Sequence, residues 1–418
     1  MRSFEDRLRE ALRQRADSVV PNQPAWADLL TRPDAAGPPR PGHRLWLAVA
    51  TAAVVVLVPF FVVARYLSRT SHVSVDGGQG QLEDPSPSTG SPVAGPPDAT
   101  LPAGFSPVSI TRTSLRVGWA LGTSVCGTEV CTALARTRDG GATWHSVPVP
   151  ADVETPSPNG ISRVRFANAS DGWLFGPQVW ATHDGGTSWR PVAPLGGPVI
   201  SLEAADGRAW GLVESAEGVS ATVEAAPVDT DDWKPVGRAA AAIGITLHGK
   251  VGYAVAPDGA LVALEPEPAG IEERGVPCPA ATVAAIAAPS DTEVAVVCAA
   301  DPGAGSSTKT LLLSHDGGRT WSTAGVAPRG GQTSGLAAAS THTFVVAAAS
   351  AASYLYRTTD AGKTWKTVFT DTGGGSPLKD LGFTDSTHGV VVLGAFPDAK
   401  LFVSSDAGGT WKAQVFAP

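Results

Sequence analysis

Five stretches of this chain follow one template. "TRDGGATW" at 137–144, "THDGGTSW" at 182–189, "SHDGGRTW" at 314–321, "TTDAGKTW" at 358–365 and "SSDAGGTW" at 404–411 each set a hydroxyl residue, an aspartate, a glycine, a second hydroxyl residue and a tryptophan at fixed offsets. The aspartates Asp139, Asp184, Asp316, Asp360 and Asp406 are separated by 45, 132, 44 and 46 residues. The long gap is three short ones, so two further units belong between Asp184 and Asp316. One survives in decayed form in "PVDTDDWKPV", which keeps Asp231 and Trp233 but not the glycines. The other falls near 265–275, where no motif remains.

A second element keeps step with the first. "RVGWALG", "SDGWLFG", "DGRAWGLV", "HGKVGYAVA", "DTEVAVVC", "THTFVVAA" and "THGVVVLG" recur once per unit as a turn followed by an apolar run. From about residue 105 the runs are short, rich in Val, Thr, Ile, Phe and Trp, and bounded by Gly/Asp/Ser/Thr turns, which predicts strands. Units this small cannot bury a core alone, so they must stack. The expected fold is all-β, a seven-bladed β-propeller with four strands per blade over 105–418. Six or eight blades follow if a decayed unit is miscounted.

The template has a physical reading. An aspartate carboxylate accepts bonds from main-chain N–H groups of its own turn, and glycine supplies the positive φ the turn needs. The tryptophan then opens the outer strand and packs between blades, where burial stabilises by a few kcal/mol. An active site is not copied five times around a ring, so these aspartates are read as structural. The five copies, Asp139/Gly141/Trp144, Asp184/Gly186/Trp189, Asp316/Gly318/Trp321, Asp360/Gly362/Trp365 and Asp406/Gly408/Trp411, resemble the Asp-box, or bacterial neuraminidase repeat. That repeat is found in sialidases, sortilin-type receptors, xyloglucanases and the propellers that assist photosystem II assembly. The resemblance implies the fold more strongly than any function.

Sialidase chemistry needs three arginines on a carboxylate, a tyrosine nucleophile paired with a glutamate, and an aspartic acid. The family's Arg-Ile-Pro signature is missing; "FSPVSITRTSLRVGW" stands there instead. The three tyrosines of this part, Tyr253, Tyr354 and Tyr356, sit in strand-like runs. A glycoside hydrolase using two acids remains the alternative to a non-catalytic binding propeller. "SRVRF" places Arg163 and Arg165 on one face of an inner strand. They either line a binding face or form salt bridges with acids of adjacent blades.

Residues 45–64, "LWLAVATAAVVVLVPFFVVA", carry no charge. Twenty residues at about 1.5 Å each cover a bilayer core of about 30 Å, so 45–67 reads as one transmembrane helix. Residues 1–44 contain a predicted amphipathic helix at 3–19 and a Trp26/Leu29/Leu30 cluster. Eight arginines precede the span and the chain turns acidic after it, which places the N-terminus in the cytoplasm. This inner portion resembles bacterial membrane-bound regulators that hold sigma factors. Residues 68–104 are rich in Gly, Pro and Ser and read as a linker.

The net charge of −8 divides into +4 over residues 1–69 and −12 over 70–418, and an acidic C-terminal part argues against nucleic acid. All four cysteines lie there too, and Cys126, Cys131, Cys278 and Cys298 read as two disulfides of an extracytoplasmic domain. No histidine stands at ligand spacing from them, so no metal and no cofactor is expected.

Overall fold

The computed structural model describes residues 99–416, apart from 103, 151–159, 194, 217, 219, 241, 242, 257 and 267. The expected cytoplasmic helix and the expected span lie outside the described residues, as does all but the end of the linker. Among the described residues no helix is long and apolar enough to cross a membrane.

Seven antiparallel sheets follow one another along the chain. Blade 1 holds β1 (Ala99–Thr100), β2 (Ser106–Arg112), β3 (Gly118–Cys126), β4 (Glu129–Thr137) and β5 (His145–Val147). Blade 2 holds β6 (Arg163–Phe166), β7 (Gly172–Phe175), β8 (Val179–Thr182) and β9 (Arg190–Pro191). Blade 3 holds β10 (Val199–Ala205), β11 (Arg208–Glu214), β12 (Ser220–Pro227) and β13 (Lys234–Ala240). Blade 4 holds β14 (Thr246–His248), β15 (Val251–Val255), β16 (Leu261–Pro266) and β17 (Ala269–Glu273). Blade 5 holds β18 (Thr282–Ala287), β19 (Val294–Gly303), β20 (Ser306–Ser314) and β21 (Ser322–Ala327). Blade 6 holds β22 (Gln332–Ala338), β23 (Phe344–Ala349), β24 (Ser353–Thr358) and β25 (Lys366–Asp371). Blade 7 holds β26 (Leu378–Phe383), β27 (Gly389–Leu393), β28 (Lys400–Ser404) and β29 (Lys412–Gln414). The blade number is therefore seven, and the unit without a motif is blade 4.

The seven recurring apolar runs are the second strands β3, β7, β11, β15, β19, β23 and β27. Each is flanked on both faces by a neighbouring blade, so alternation gives way to continuous apolar sequence. β7 and β27 are buried along their whole length. The described core falls into seven clusters, one per gap between blades. Trp119 and Phe166 stack with ring centroids 3.7 Å apart in the gap between blades 1 and 2.

An innermost strand leaves one row of main-chain groups unpaired by its own sheet, and this ring satisfies several of them across the gaps. The Ser109 hydroxyl accepts from Val164 N at 3.2 Å, Thr111 from Phe166 N at 3.4 Å and Ser201 from Ile245 N at 3.1 Å. Asp380 accepts from Ile110 N at 2.8 Å across the seam between blades 7 and 1. No strand is shared across that seam. Gln414 Nε2 donates to Gly141 O at 2.8 Å, and Phe416 packs on Phe105 and Trp144. β1 lies within the stretch read as linker, where it extends blade 1 beyond β5. Leu101, just after it, is buried in the seam core.

Candidate functional site

The five aspartates occupy the turns β4–β5, β8–β9, β20–β21, β24–β25 and β28–β29 of blades 1, 2, 5, 6 and 7. In blade 1, Thr137 Oγ1 donates to Asp139 Oδ1 at 2.8 Å, Thr143 N to the same oxygen at 3.0 Å, and Thr143 Oγ1 to Oδ2 at 2.6 Å. Gly141 N in turn donates to Thr137 Oγ1 at 2.8 Å. The same set recurs around Asp184, Asp316, Asp360 and Asp406. There Gly186 N donates to Thr182 Oγ1 at 2.9 Å, Gly318 N to Ser314 Oγ at 2.8 Å, Gly362 N to Thr358 Oγ1 at 2.9 Å and Gly408 N to Ser404 Oγ at 2.9 Å. Hydrogen bonds from Thr143, then Thr137, hold the Asp139 carboxyl well below the usual carboxylate range. Bonds from Thr364 and Thr358 lower Asp360 to about 2.

Gly140 and Gly141 stand at φ 82° and 99°; in two copies Ala361 and Ala407 take the first of these places at φ 57° and 59°. The second place is glycine in all five copies, and φ is only part of the reason. A Cβ on Gly186, Gly318, Gly362 or Gly408 would press on Val147, Leu261, Leu311 or Val345, each from the preceding blade. The turn thus lies directly against its neighbour's core, a packing role that the sequence reading of these glycines did not contain.

Each tryptophan lies just before the strand that follows its turn and points towards the preceding blade. Trp321, Trp365 and Trp411 donate Nε1–H to the glycine carbonyl of their own turn, at 3.1, 2.9 and 3.1 Å. Trp189 departs from this pattern. Its Nε1–H reaches Pro148 O beyond blade 1 at 2.9 Å, and its ring stands edge-on to Phe166. Trp144 is fully buried in the seam core. The decayed copy keeps the packing role, with Trp233 edge-on to Trp173 of blade 2.

Arg163 and Arg165 share the inner strand β6, and the structure brings them to two acids on either side. Arg165 Nε donates to Glu203 of blade 3 at 2.8 Å, and its Nη2 reaches Asp380 of blade 7 at 3.4 Å. Arg163 Nη1 donates to Asp380 at 3.0 Å. The salt-bridge reading is the one seen here, and Arg165 also lines the opening of the channel. Asp380 also accepts from Ser109 Oγ at 2.6 Å, so four donors surround a side chain only 4% exposed.

Burial alone would raise the Asp380 carboxyl; Arg165 and Arg163 outweigh it and hold the group below its ordinary value. Glu203 is 31% exposed, and burial raises its carboxyl against the pull of Arg165. Arg165 would be lowered by burial, but Glu203 and Asp380 raise it.

The cluster forms one wall of a funnel of about 540 Å³ where the channel opens on the face of the aspartate turns. The opposite wall is apolar, with Ile245, Ile286 and Leu336 from blades 4 to 6. Charge faces hydrocarbon across the opening, which suits an amphipathic occupant. Sequence reading missed Asp380 and Glu203; the only signal was an acid inside each strand-like run.

No tyrosine lines the funnel among the described residues. Tyr354 and Tyr356 stack between blades, and the Tyr356 hydroxyl donates to Gly330 O at 3.0 Å. Tyr253 borders a separate cavity of about 390 Å³ between blades 4 and 5, where Arg274 is neutralised by Glu265 and Glu272. Both cysteine pairs are joined: Cys126–Cys131 ties the tip of the β3–β4 hairpin, and Cys278–Cys298 anchors the approach to blade 5 on β19. No cluster of three metal-binding side chains occurs among the described residues.

Solved structures share this architecture. YCF48 bound to D1 peptide superposes with TM-score 0.52 at 17% identity, over 73% of this chain and 95% of its own. YCF48 from Cyanidioschyzon merolae gives 0.47 at 18% identity, over 74% and 95%. A chain of the mitotic checkpoint complex gives 0.51 at 10% identity, over 80% and 99%. The two matches above 0.5 show a shared fold, and identities this low show nothing finer. No protein-family model and no curated protein matches the sequence.

Proposed function

We propose that this chain is a single-pass membrane protein whose extracytoplasmic Asp-box propeller binds a protein partner, or alternatively a glycan, without catalysis. The observation that carries the reading is that the most regularly placed of its acids, and Asp380 in the channel, are already hydrogen-bonded. The five turn aspartates accept from their own turns, and Asp380 is surrounded by four donors. The funnel mouth offers a charged wall facing an apolar one, a surface for recognition. One propeller of the same fold, YCF48, has been solved with a bound peptide.

The uncharged run at 45–64 supports anchoring, and the two disulfides support an oxidising compartment. The charged segment 1–44, with its apolar stripe, supports a cytosolic partner such as a sigma factor. Crosslinking the full chain in intact cells, followed by mass spectrometry, tests this. Partners joined to residues on the funnel rim support the reading; failure to capture any protein there, together with no glycan-array signal, refutes it.

One observation favours the hydrolase reading. Glu203 is 31% exposed on the funnel and burial raises its carboxyl, which suits a general acid, although it is paired with Arg165. Turnover of chromogenic sialosides or glucans by the full chain, abolished in Glu203→Gln, would establish it.

A further inference from the structure

At the seam between blades 7 and 1 a half-buried cation has no counter-ion among the described residues. Arg112 closes β2, and its guanidinium reaches only main-chain oxygens: Leu115 O at 3.4 Å and Gly140 O at 3.2 Å. Its Nε is buried and has no acceptor. A guanidinium has five N–H donors, so most of this one's capacity is unused. Burial lowers its pKa and no acid opposes the shift. Arg165 and Arg274, also largely buried, are each held by two carboxylates. Arg357 also bonds only carbonyls, but at 2.7 and 3.3 Å across into the next blade's turn, as a clamp between blades.

Arg112 borders a cavity of about 250 Å³. Lys412, exposed and without an ion pair among the described residues, stands on the same cavity, and Thr384 adds a hydroxyl to its lining. Leu115, Val390 and Val403 give one apolar side, and His388, Ser404, Ser405 and Thr410 line the rest. Arg112, Thr384 and Val390 also line the funnel, so the cavity communicates with the channel mouth. The two acids nearest in sequence to this wall are already hydrogen-bonded, partly by residues of the lining itself. Asp385 accepts from Thr387 N and His388 N, and Asp406 from Ser404 and Thr410.

We propose that the seam cavity binds a small organic carboxylate, its oxygens on Arg112 and Lys412 and its short apolar chain on Leu115, Val390 and Val403. The planar fork of a guanidinium matches a carboxylate, and the hydrocarbon wall selects against a fully hydrated inorganic anion. A free acid and the carboxyl end of a peptide present the same chemistry. The site does not rest on membrane anchoring or on a protein partner at the funnel rim.

Calorimetric titration of the full chain tests it with four probes: hexanoate, hexanamide, inorganic phosphate, and acetyl-Ala-Val with a free carboxyl end. Saturable binding of hexanoate or of the peptide is expected, with hexanamide and phosphate at least about tenfold weaker. Hexanoate alone assigns a free acid; the peptide, alone or with hexanoate, assigns a chain end. Arg112→Gln should weaken binding about tenfold or more, and Lys412→Gln about threefold. Lys412 is exposed, so its variant keeps the test decisive if Arg112→Gln does not fold. No saturation by either carboxylate, equal binding of hexanamide or phosphate, or unchanged affinity in both variants overturns the proposal.

Discussion

Asp380→Ala should be the most damaging single change in the channel. The carboxylate accepts from Ser109 Oγ at 2.6 Å, Ile110 N at 2.8 Å, Arg163 Nη1 at 3.0 Å and Arg165 Nη2 at 3.4 Å. Those donors come from blades 1 and 2, while Asp380 belongs to blade 7, so one side chain spans the seam. Removing one partner of a buried ion pair costs about 3–5 kcal/mol, because the other charge stays behind. Arg163 is 32% exposed and can recover water, and Arg165 retains Glu203, which places this part near the lower bound. The orphaned Ile110 N–H adds about 1–2 kcal/mol.

The expected loss is therefore about 4 kcal/mol, read by urea denaturation followed through tryptophan fluorescence. Asp380→Asn keeps an acceptor for Ile110 N and should lose about half as much. The double change Asp380→Ala with Arg165→Met should recover at least about 1 kcal/mol relative to the sum of the singles. A loss below about 1 kcal/mol in Asp380→Ala, or strictly additive singles, would refute the view that this carboxylate holds the ring closed.

Other expectations are independent of the seam. Ala361→Gly and Ala407→Gly remove a side chain from φ 57° and 59°, and each should stabilise by about 0.5–1 kcal/mol on urea denaturation. Lys309 is fully buried, its Nζ donating to Ser307 O, Arg329 O and Gly331 O; burial first, then the Arg329 guanidinium, pull it down to about 8. The folded state thus releases this proton more readily than the unfolded chain, so stability should rise between pH 8 and about 10.5 and the rise should vanish in Lys309→Met. Asp360 is lowered to about 2, so its contribution is complete above pH 3.8 and fades as pH falls through 2; a carboxyl NMR titration midpoint near 4 would contradict the bonding seen.

What the sequence made legible is what is local. The aspartate turn closes within eight residues, so its donors, acceptor and glycine can be read side by side. That Gly186, Gly318, Gly362 and Gly408 also make room for a neighbouring blade was not legible, because the side chains they face belong to another unit. Second strands were legible because burial on both faces erases alternation. Trp233 marked blade 3 after the glycines were gone, since its packing against Trp173 does not need them. Blade 4 left no mark because β16 ends at Pro266 and pairs there with Ala269 of β17, which leaves no room for the eight-residue template. β1 is two residues long and has no apolar pattern to betray it. That Arg163 and Arg165 share a face followed from strand geometry. Their partner Asp380 did not, because Ser109 and Asp380 are 271 positions apart and meet only when the ring closes.

The seam explains why the unpaired cation lies where it does. Consecutive blades are joined by the chain itself, whereas blades 7 and 1 are held by side chains alone. In blades 1 and 6 the residue before the first hydroxyl of the motif is an arginine that bonds the next blade's turn: Arg136 to Gly185 O at 3.3 Å and Arg357 to Ala407 O at 2.7 Å. In blade 7 that place is Val403, which cannot donate. The turn carbonyls of blade 1 are taken instead by Gln414, on Gly141 O, and by Arg112 of blade 1 itself, on Gly140 O. An arginine serving its own blade does not reach across the gap, and the volume that a crossing arginine would fill stays open beside it. Blades 2 and 5 also lack the clamp, with Ala181 and Leu313 at that place, but among the described residues only at the seam does its absence leave a cation facing a cavity.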